Sequence, residues 1–219
     1  NMLAGLEKPT KGEVSIYGKR ISAMDENQLA EFRQEHLGFI FQSYNLLPQL
    51  TAAENVALPL MFKGADRAKR LKLAEHELKQ MGLAKRAKHK PTEMSGGQQQ
   101  RVAIARAFVT KPKVIFADEP TGNLDSRTTR LVLRTMLERA EKYGITLVMV
   151  TPERERAGCG DRSVDRQDGH RMCYKVHTRE ERAKHRAELF GEIGGEETPA
   201  EPETQLNDKK PAKAQPAKT

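Results

Sequence analysis

The stretch from Val114 to Thr151 reads as strand, helix, strand, and it fixes the kind of fold the rest of the chain can join. Val114 to Asp118 and Ile145 to Thr151 are near-continuous apolar runs on either side of a helical segment, Ser126 to Tyr143. Strands of that kind are covered on both faces, and two of them joined through a helix lie parallel in one sheet. The first strand ends abruptly in Asp118-Glu119. Two adjacent carboxylates at a strand end are costly unless something uses them. In open α/β sheets the ligand crevice lies outside the carboxyl ends of the strands, where hard oxygen donors suit a magnesium–nucleotide. An ordinary surface acid is the plain alternative for Glu119.

Upstream, Met94-Ser95-Gly96-Gly97-Gln98-Gln99-Gln100-Arg101 leads into a second helical run, Gln98 to Thr110, which stops at Lys111-Pro112. A small hydroxyl and two glycines ahead of a helix suit phosphate. Ser95 can cap the helix, the glycines let a ligand approach the backbone, and unpaired N–H groups face the anion. A third polar residue, Gln42, closes the apolar strand Leu37 to Phe41.

The remainder fills in around these parts. Asn1 to Leu6 reads as the end of a helix already under way, with Gly5 as its stop; Glu13 to Gly18 alternates like a strand, and Ser22 to Gln34 is a polar helix. Helices are expected at Asn55 to Phe62, Asp66 to Met81 and near Leu83 to Lys88, the second carrying an apolar stripe of core spacing. A charged helix follows over Thr178 to Phe190. Beyond Gly191 the composition turns to Glu, Pro, Ala, Lys and Thr, which buries too little apolar surface to offset ordering entropy, so a disordered tail is expected.

At 219 residues the chain accommodates one domain and a tail. Its longest apolar run is far shorter than the roughly 20 residues that cross a bilayer, and no secretory leader is evident. Cys159 and Cys173 lack metal-ligand spacing and read as reduced thiols. The formal charge of +8 is concentrated between Lys63 and Lys90. A solvated helical face is favoured there over nucleic-acid binding, with anionic lipid headgroups a third possibility.

Ser95-Gly96-Gly97-Gln98-Gln99 resembles the signature motif of the ATP-binding cassette (ABC) ATPases, with Met94 at the usual leucine position. Val114 to Glu119 resembles their Walker B strand, Asn123-Leu124-Asp125 the loop after it, and Gln42 their Q-loop glutamine. The passage Ser43 to Val56 is similar to the subgroup serving lipoprotein-release and macrolide-export systems, with Tyr44, Leu46 and Leu47 as candidate contacts to a membrane partner. The resemblance implies a P-loop NTPase-like parallel sheet with an α-helical subdomain over about 53–97. The cassette would cover 1–176, followed by a charged helix at 177–190 and a disordered tail at 191–219.

On function the resemblance implies an ATPase that takes ATP and Mg²⁺, pairs with a second cassette of the same or a different kind, and drives a membrane permease from the cytoplasmic face of the cell membrane. Asp118 would hold magnesium through water, Glu119 would activate the attacking water, and Gln42 would sense magnesium and the γ-phosphate. Ser95, Gly96, Gly97 and Gln98 would bind the partner's γ-phosphate, and Asp125 would link the two sites. Two departures stand out. The phosphate-binding loop GxxxxGK[ST] does not occur in these residues, and Pro152 stands where the family places a histidine; His170 and His177 lie too far along to replace it. The chain alone is therefore expected to lack turnover. Two alternatives remain open: a non-catalytic cassette that completes a partner's ATP site, and a nucleic-acid-associated ABC ATPase.

Overall fold

The computed structural model describes residues 1–153, 157–168 and 170–191. Its centre is a three-stranded parallel sheet, β3 (Leu37–Ile40), β4 (Val114–Asp118) and β5 (Thr146–Val150), in that spatial order. Alternate residues face opposite sides, as the period of two requires. Ile40, Ile115, Ala117, Leu147 and Met149 turn to the larger core, whereas Leu37, Phe39, Val114, Phe116 and Val148 turn to the smaller one. The sheet is thus covered on both faces, as expected for apolar runs without alternation.

The smaller core is closed by α1 (Glu26–His36), through Leu29 and Phe32, and by residues flanking a hairpin of β1 (Ser15–Ile16) and β2 (Lys19–Arg20). The expected single strand over Glu13 to Gly18 is divided because Tyr17 and Gly18 take positive φ and turn the chain back. Helix α1 starts later than the polar composition suggests. Asp25 accepts from the Gln28 N–H while Gln28 Oε1 accepts from the Asp25 N–H, a reciprocal cap that sets the first turn. Asn1 to Leu6 supplies only a 3₁₀ turn, Met2–Ala4, closed by Gly5 in the left-handed region.

The larger core is built from α2 (Ala52–Phe62), α3 (Arg67–Gln80), α4 (Gly96–Phe108) and α5 (Ser126–Tyr143). Helix α4 lies directly on the sheet: a Cβ at Gly38 would stand 2.8 Å from the Ala107 carbonyl oxygen, so only glycine fits in β3 there. Helices α3 and α5 are tied by a buried ion pair between Glu77 and Arg139. The Arg139 guanidinium also lies over the rings of Phe108 and Tyr143, 5.2 and 5.3 Å from their centroids.

After β5 come an antiparallel pair, β6 (Arg162–Gln167) and β7 (His170–Val176), and α6 (Arg179–Phe190). The expected tail begins at Gly191, the last described residue, and its remainder lies outside the described residues. No helix among the described residues is long and apolar enough to cross a membrane.

Both cysteines are free thiols: Cys159 is buried and Cys173, on β7, is exposed. Burial pushes the Cys159 thiol up, against the partly offsetting charge of Arg186. An aromatic disulfide reagent at neutral pH is expected to modify one thiol in the folded chain, at Cys173, and two in denaturant, which thiol counting by absorbance checks.

Candidate functional site

The sheet register brings the first cluster together. Ile40 lies opposite Ala117 in the parallel pair of β3 and β4, so two residues further on the strands deliver Gln42 and Glu119 side by side. Glu119 sits at φ 42, in the left-handed region, and its N–H donates to the Val150 carbonyl at 3.0 Å. A non-glycine residue at such a φ is sparsely populated and clusters at functional positions.

The following turn folds back on the strand end. The Gly122 N–H donates to the Glu119 carbonyl at 3.1 Å, and Asn123 Nδ2 donates to the Gln42 carbonyl at 3.4 Å. A Cβ at Gly122 would lie 2.8 Å from Gln42 Nε2 and 3.3 Å from Glu119 Oε2, so both side chains close on one small space that a methyl group would fill. Asp118 is exposed at the end of β4, opposite Val150.

Gln42, Asp118 and Glu119 form a hard-oxygen set with one exposed and one half-buried carboxylate. Among the described residues no group of three or more His, Cys, Asp or Glu could hold a metal by itself. Mg²⁺ takes one or two carboxylates together with substrate phosphates and several waters, and Asp118 and Glu119 are donors of that kind.

The second cluster is the start of α4. Ser95 Oγ accepts from the Gln98 N–H at 3.4 Å, and Gln98 Oε1 accepts from the Ser95 N–H at 3.1 Å. This reciprocal cap starts the helix at Gly96, two residues earlier than the expected Gln98. First-turn N–H groups have no intrahelical acceptor, so those of Gly96 and Gly97 are the donors an anion would meet. Ser95 is exposed, and Gly96, Gly97 and Gln98 are half-buried.

The glycines also answer to packing. A Cβ at Gly97 would collide with Thr128 Cγ2 at 2.6 Å, and one at Gly96 would lie 2.9 Å from Tyr44 Oη. Asp125 meets this region as the N-cap of α5, accepting from the N–H groups of Arg127 and Thr128, both at 3.0 Å. Hydrogen bonds from the Thr128 side chain and backbone hold the Asp125 carboxyl below its ordinary range, so it is charged at neutral pH.

Three positioning residues escaped the sequence reading: Gln100 and Arg106 because their partners are remote along the chain, and Asn55 because its partners lie in the irregular loop just ahead of its own helix. Gln100, fully buried in α4, donates from Nε2 to the Pro120 carbonyl and so joins the signature helix to the turn behind Glu119. Arg106, also in α4, donates to the carbonyls of Tyr44 at 2.9 Å and of Asn45, both at positive φ. Asn55, fully buried, exchanges hydrogen bonds with the Leu47 backbone and donates to the carbonyls of Leu50 and Thr51. The run Gln98-Gln99-Gln100 offered a weak signal for the first; nothing local marks the other two.

Of the loop residues read as possible partner contacts, Tyr44 is half-buried against Gly96, Leu46 packs on the core, and Leu47 is 46 % exposed. Pro152 follows β5 and is exposed. His170 opens β7 and is exposed, and His177 is buried and hydrogen-bonded through Nε2 to Ser163 Oγ at 2.9 Å.

Comparison with known proteins identifies the family. A family model described as ABC transporter matches residues 1–122. An uncharacterized ABC transporter ATP-binding protein of Methanocaldococcus jannaschii, MJ1508, is 49% identical over 169 residues, 77% of this chain and 75% of that protein. The lipoprotein-releasing system ATP-binding protein LolD of Syntrophus aciditrophicus is 44% identical over 169 residues, 77% of this chain and 76% of that protein. Among solved structures, the ATP-binding cassette MJ0796, a dimer in a post-hydrolysis state bound to ADP and Pi, superposes with a TM-score of 0.74 at 41% identity, covering 80% of this chain and 78% of that one. With a parallel sheet that delivers Gln42 and Glu119 to one rim and a capped glycine turn beside it, the chain belongs to the ATP-binding subunits of the ABC transporters.

Proposed function

We propose that the residues gathered at the strand ends work as one half of an ATP-hydrolysing pair. The observation that carries this reading is the convergence of Gln42 and Glu119 on the space above Gly122. Glu119 orients and deprotonates the attacking water, and its fixed left-handed backbone aims the carboxylate. Gln42 reads the presence of the γ-phosphate from the adjoining strand, and Asp118 would hold Mg²⁺. When bound, Mg²⁺ neutralises charge on the β- and γ-phosphate oxygens. Ser95, Gly96, Gly97 and Gln98 offer donors to the γ-phosphate of ATP carried by a second cassette, and Asp125, capping α5 beside Gly97, links that face to the chain's own strand end.

Within this reading residues 1–176 form the cassette, with 53–97 as its helical subdomain. The partner in the membrane is a permease. A groove of about 140 Å³ in the helical subdomain, floored by Ala57, Leu58, Met61 and Leu71 and flanked by Glu54, Arg67 and Arg70, suits an apolar side chain on that partner. The chain then works as a peripheral subunit on the cytoplasmic face of the membrane.

Pro152 favours a second reading, in which this chain lends its Ser95 face to an ATP site whose remaining parts come from a complete cassette. Both readings require that face to function, and one experiment tests it. A complete relative whose own signature serine is replaced by arginine is mixed with this chain, and ATP hydrolysis is measured. Turnover at least tenfold above either component is expected, and Ser95→Arg in this chain is expected to abolish the gain. No gain over the relative alone refutes the proposal.

A further inference from the structure

The helical subdomain carries a second concavity, of about 640 Å³, between α3 and the loop that follows it, lined by Lys72, His76, Lys79, Lys85, Lys88 and His89 with Glu75. That volume lies in the range of small-molecule sites. It shares no residue with the cluster around Glu119 or with the Ser95 turn.

Its charge is less compensated than the sequence suggests. Ten basic and three acidic side chains occur between Lys63 and Lys90. Two of the three carboxylates are committed elsewhere: Asp66 caps α3 by accepting from the N–H groups of Ala68 and Lys69, and Glu77 is buried against Arg139. Glu75 alone faces the concavity. Lys72, Lys79, Lys85 and Lys88 are exposed, and none makes an ion pair or side-chain hydrogen bond among the described residues.

The wall is rigid. Successive N–H groups at the start of α2, those of Ala52 and Ala53, donate to the carbonyls of His89 and Ala87 at 2.8 and 2.9 Å, and Arg86 Nη1 lies 2.9 Å from His89 Nε2. Lys85 and Lys88 are therefore presented from a fixed loop toward Lys72 and Lys79, which stand two turns apart on one face of α3. A solvated helical face needs neither a concavity nor a pinned opposite wall.

We propose that this concavity is a binding site for a phosphate-bearing anion. Four ammonium groups set against the single carboxylate of Glu75 around one open volume repel one another, and an anion carrying several charges relieves that repulsion in a way chloride does not. The phosphate belongs either to a soluble polyphosphate or to the headgroups of an anionic membrane, and the two sources separate by experiment.

Isothermal titration of the chain with inorganic tripolyphosphate tests the first source. Co-flotation with phosphatidylcholine vesicles, with and without phosphatidylglycerol, tests the second. The variant Lys79→Gln/Lys85→Gln removes charge from both walls, and Lys8→Gln/Lys11→Gln, at exposed positions outside the concavity, removes the same net charge. The first-turn donors near Ser95 also attract anions, so the contrast between variants assigns the location. Binding of tripolyphosphate, or recovery with the anionic vesicles only, is expected to fall about tenfold in the first variant and less than twofold in the second. Equal losses in the two variants, or no engagement of either probe by the unaltered chain, overturns the site and leaves the ATP-site reading untouched.

Discussion

Glu119→Gln, made in this chain joined to the phosphate-binding loop and strand of a relative, is expected to lower kcat for ATP hydrolysis by two to four orders of magnitude while leaving the KM for ATP within about threefold, because the lost group assists water rather than binding nucleotide. The effect follows from position. The Glu119 carboxylate reaches the space above Gly122 from a backbone held by the Val150 carbonyl, and Gln42 reaches it from the neighbouring strand. The amide keeps the shape and loses the basic lone pair. A Gly122→Ala change in the same chain is expected to act differently, pushing Gln42 Nε2 and Glu119 Oε2 away from their common space and disturbing both groups at once. Single-turnover kinetics separates the two outcomes. Undiminished turnover in Glu119→Gln removes this residue from the mechanism.

Replacing Arg139 by leucine is expected to destabilise the fold by about 3–5 kcal/mol, since it strands the Glu77 carboxylate among buried apolar groups. Arg139 and Glu77 are 7% and 6% exposed, and Arg139 is further packed over Phe108 and Tyr143. Glu77→Leu alone is expected to cost a similar amount for the converse reason. The double variant Glu77→Leu/Arg139→Leu is expected to lie within about 1–2 kcal/mol of the unaltered chain, because two apolar side chains need no desolvation of charge. Urea denaturation midpoints measure all three. The pair matters beyond stability, because it joins α3 of the helical region to α5, whose first turn presses Thr128 against Gly97 and whose cap is Asp125. Additive losses in the two single variants would show that the ion pair does not connect these helices energetically.

The sheet was legible from composition alone where burial leaves no alternation. Val114 to Asp118 and Ile145 to Thr151 have one reading, the second strand being observed over Thr146–Val150, and the register between them places the acids at the rim. Helices were legible through their stripes, while their starts depended on reciprocal caps. Thr51 with Glu54 begins α2 before the expected Asn55, and Ser95 with Gln98 begins α4 before Gln98. The hairpin of β6 and β7 was missed because β7 is exposed along its whole length and carries no burial pattern; the Asp168-Gly169 dipeptide between them was the available signal.

At the site, the glycines of the signature motif were read as access for a ligand, and their contacts with Tyr44 and Thr128 add a packing requirement that no local pattern reveals. Gln100 and Arg106 act through carbonyl groups brought near by folding, so their roles emerge only once α4 is seen to brace both the loop after Gln42 and the turn after Glu119, whereas Asn55 holds that same loop from the first turn of α2.

A crystal structure of this chain assembled with a complete cassette around ATP and Mg²⁺ bears most directly on whether the Ser95 turn and the Asp118-Glu119 strand end belong to two nucleotide-facing edges. Ser95 Oγ and the Gly97 N–H are predicted to lie about 2.7–3.2 Å from γ-phosphate oxygens of the partner's nucleotide. A closed assembly in which that turn faces solvent, with the partner's phosphates contacted by some other surface of this chain, would contradict the account.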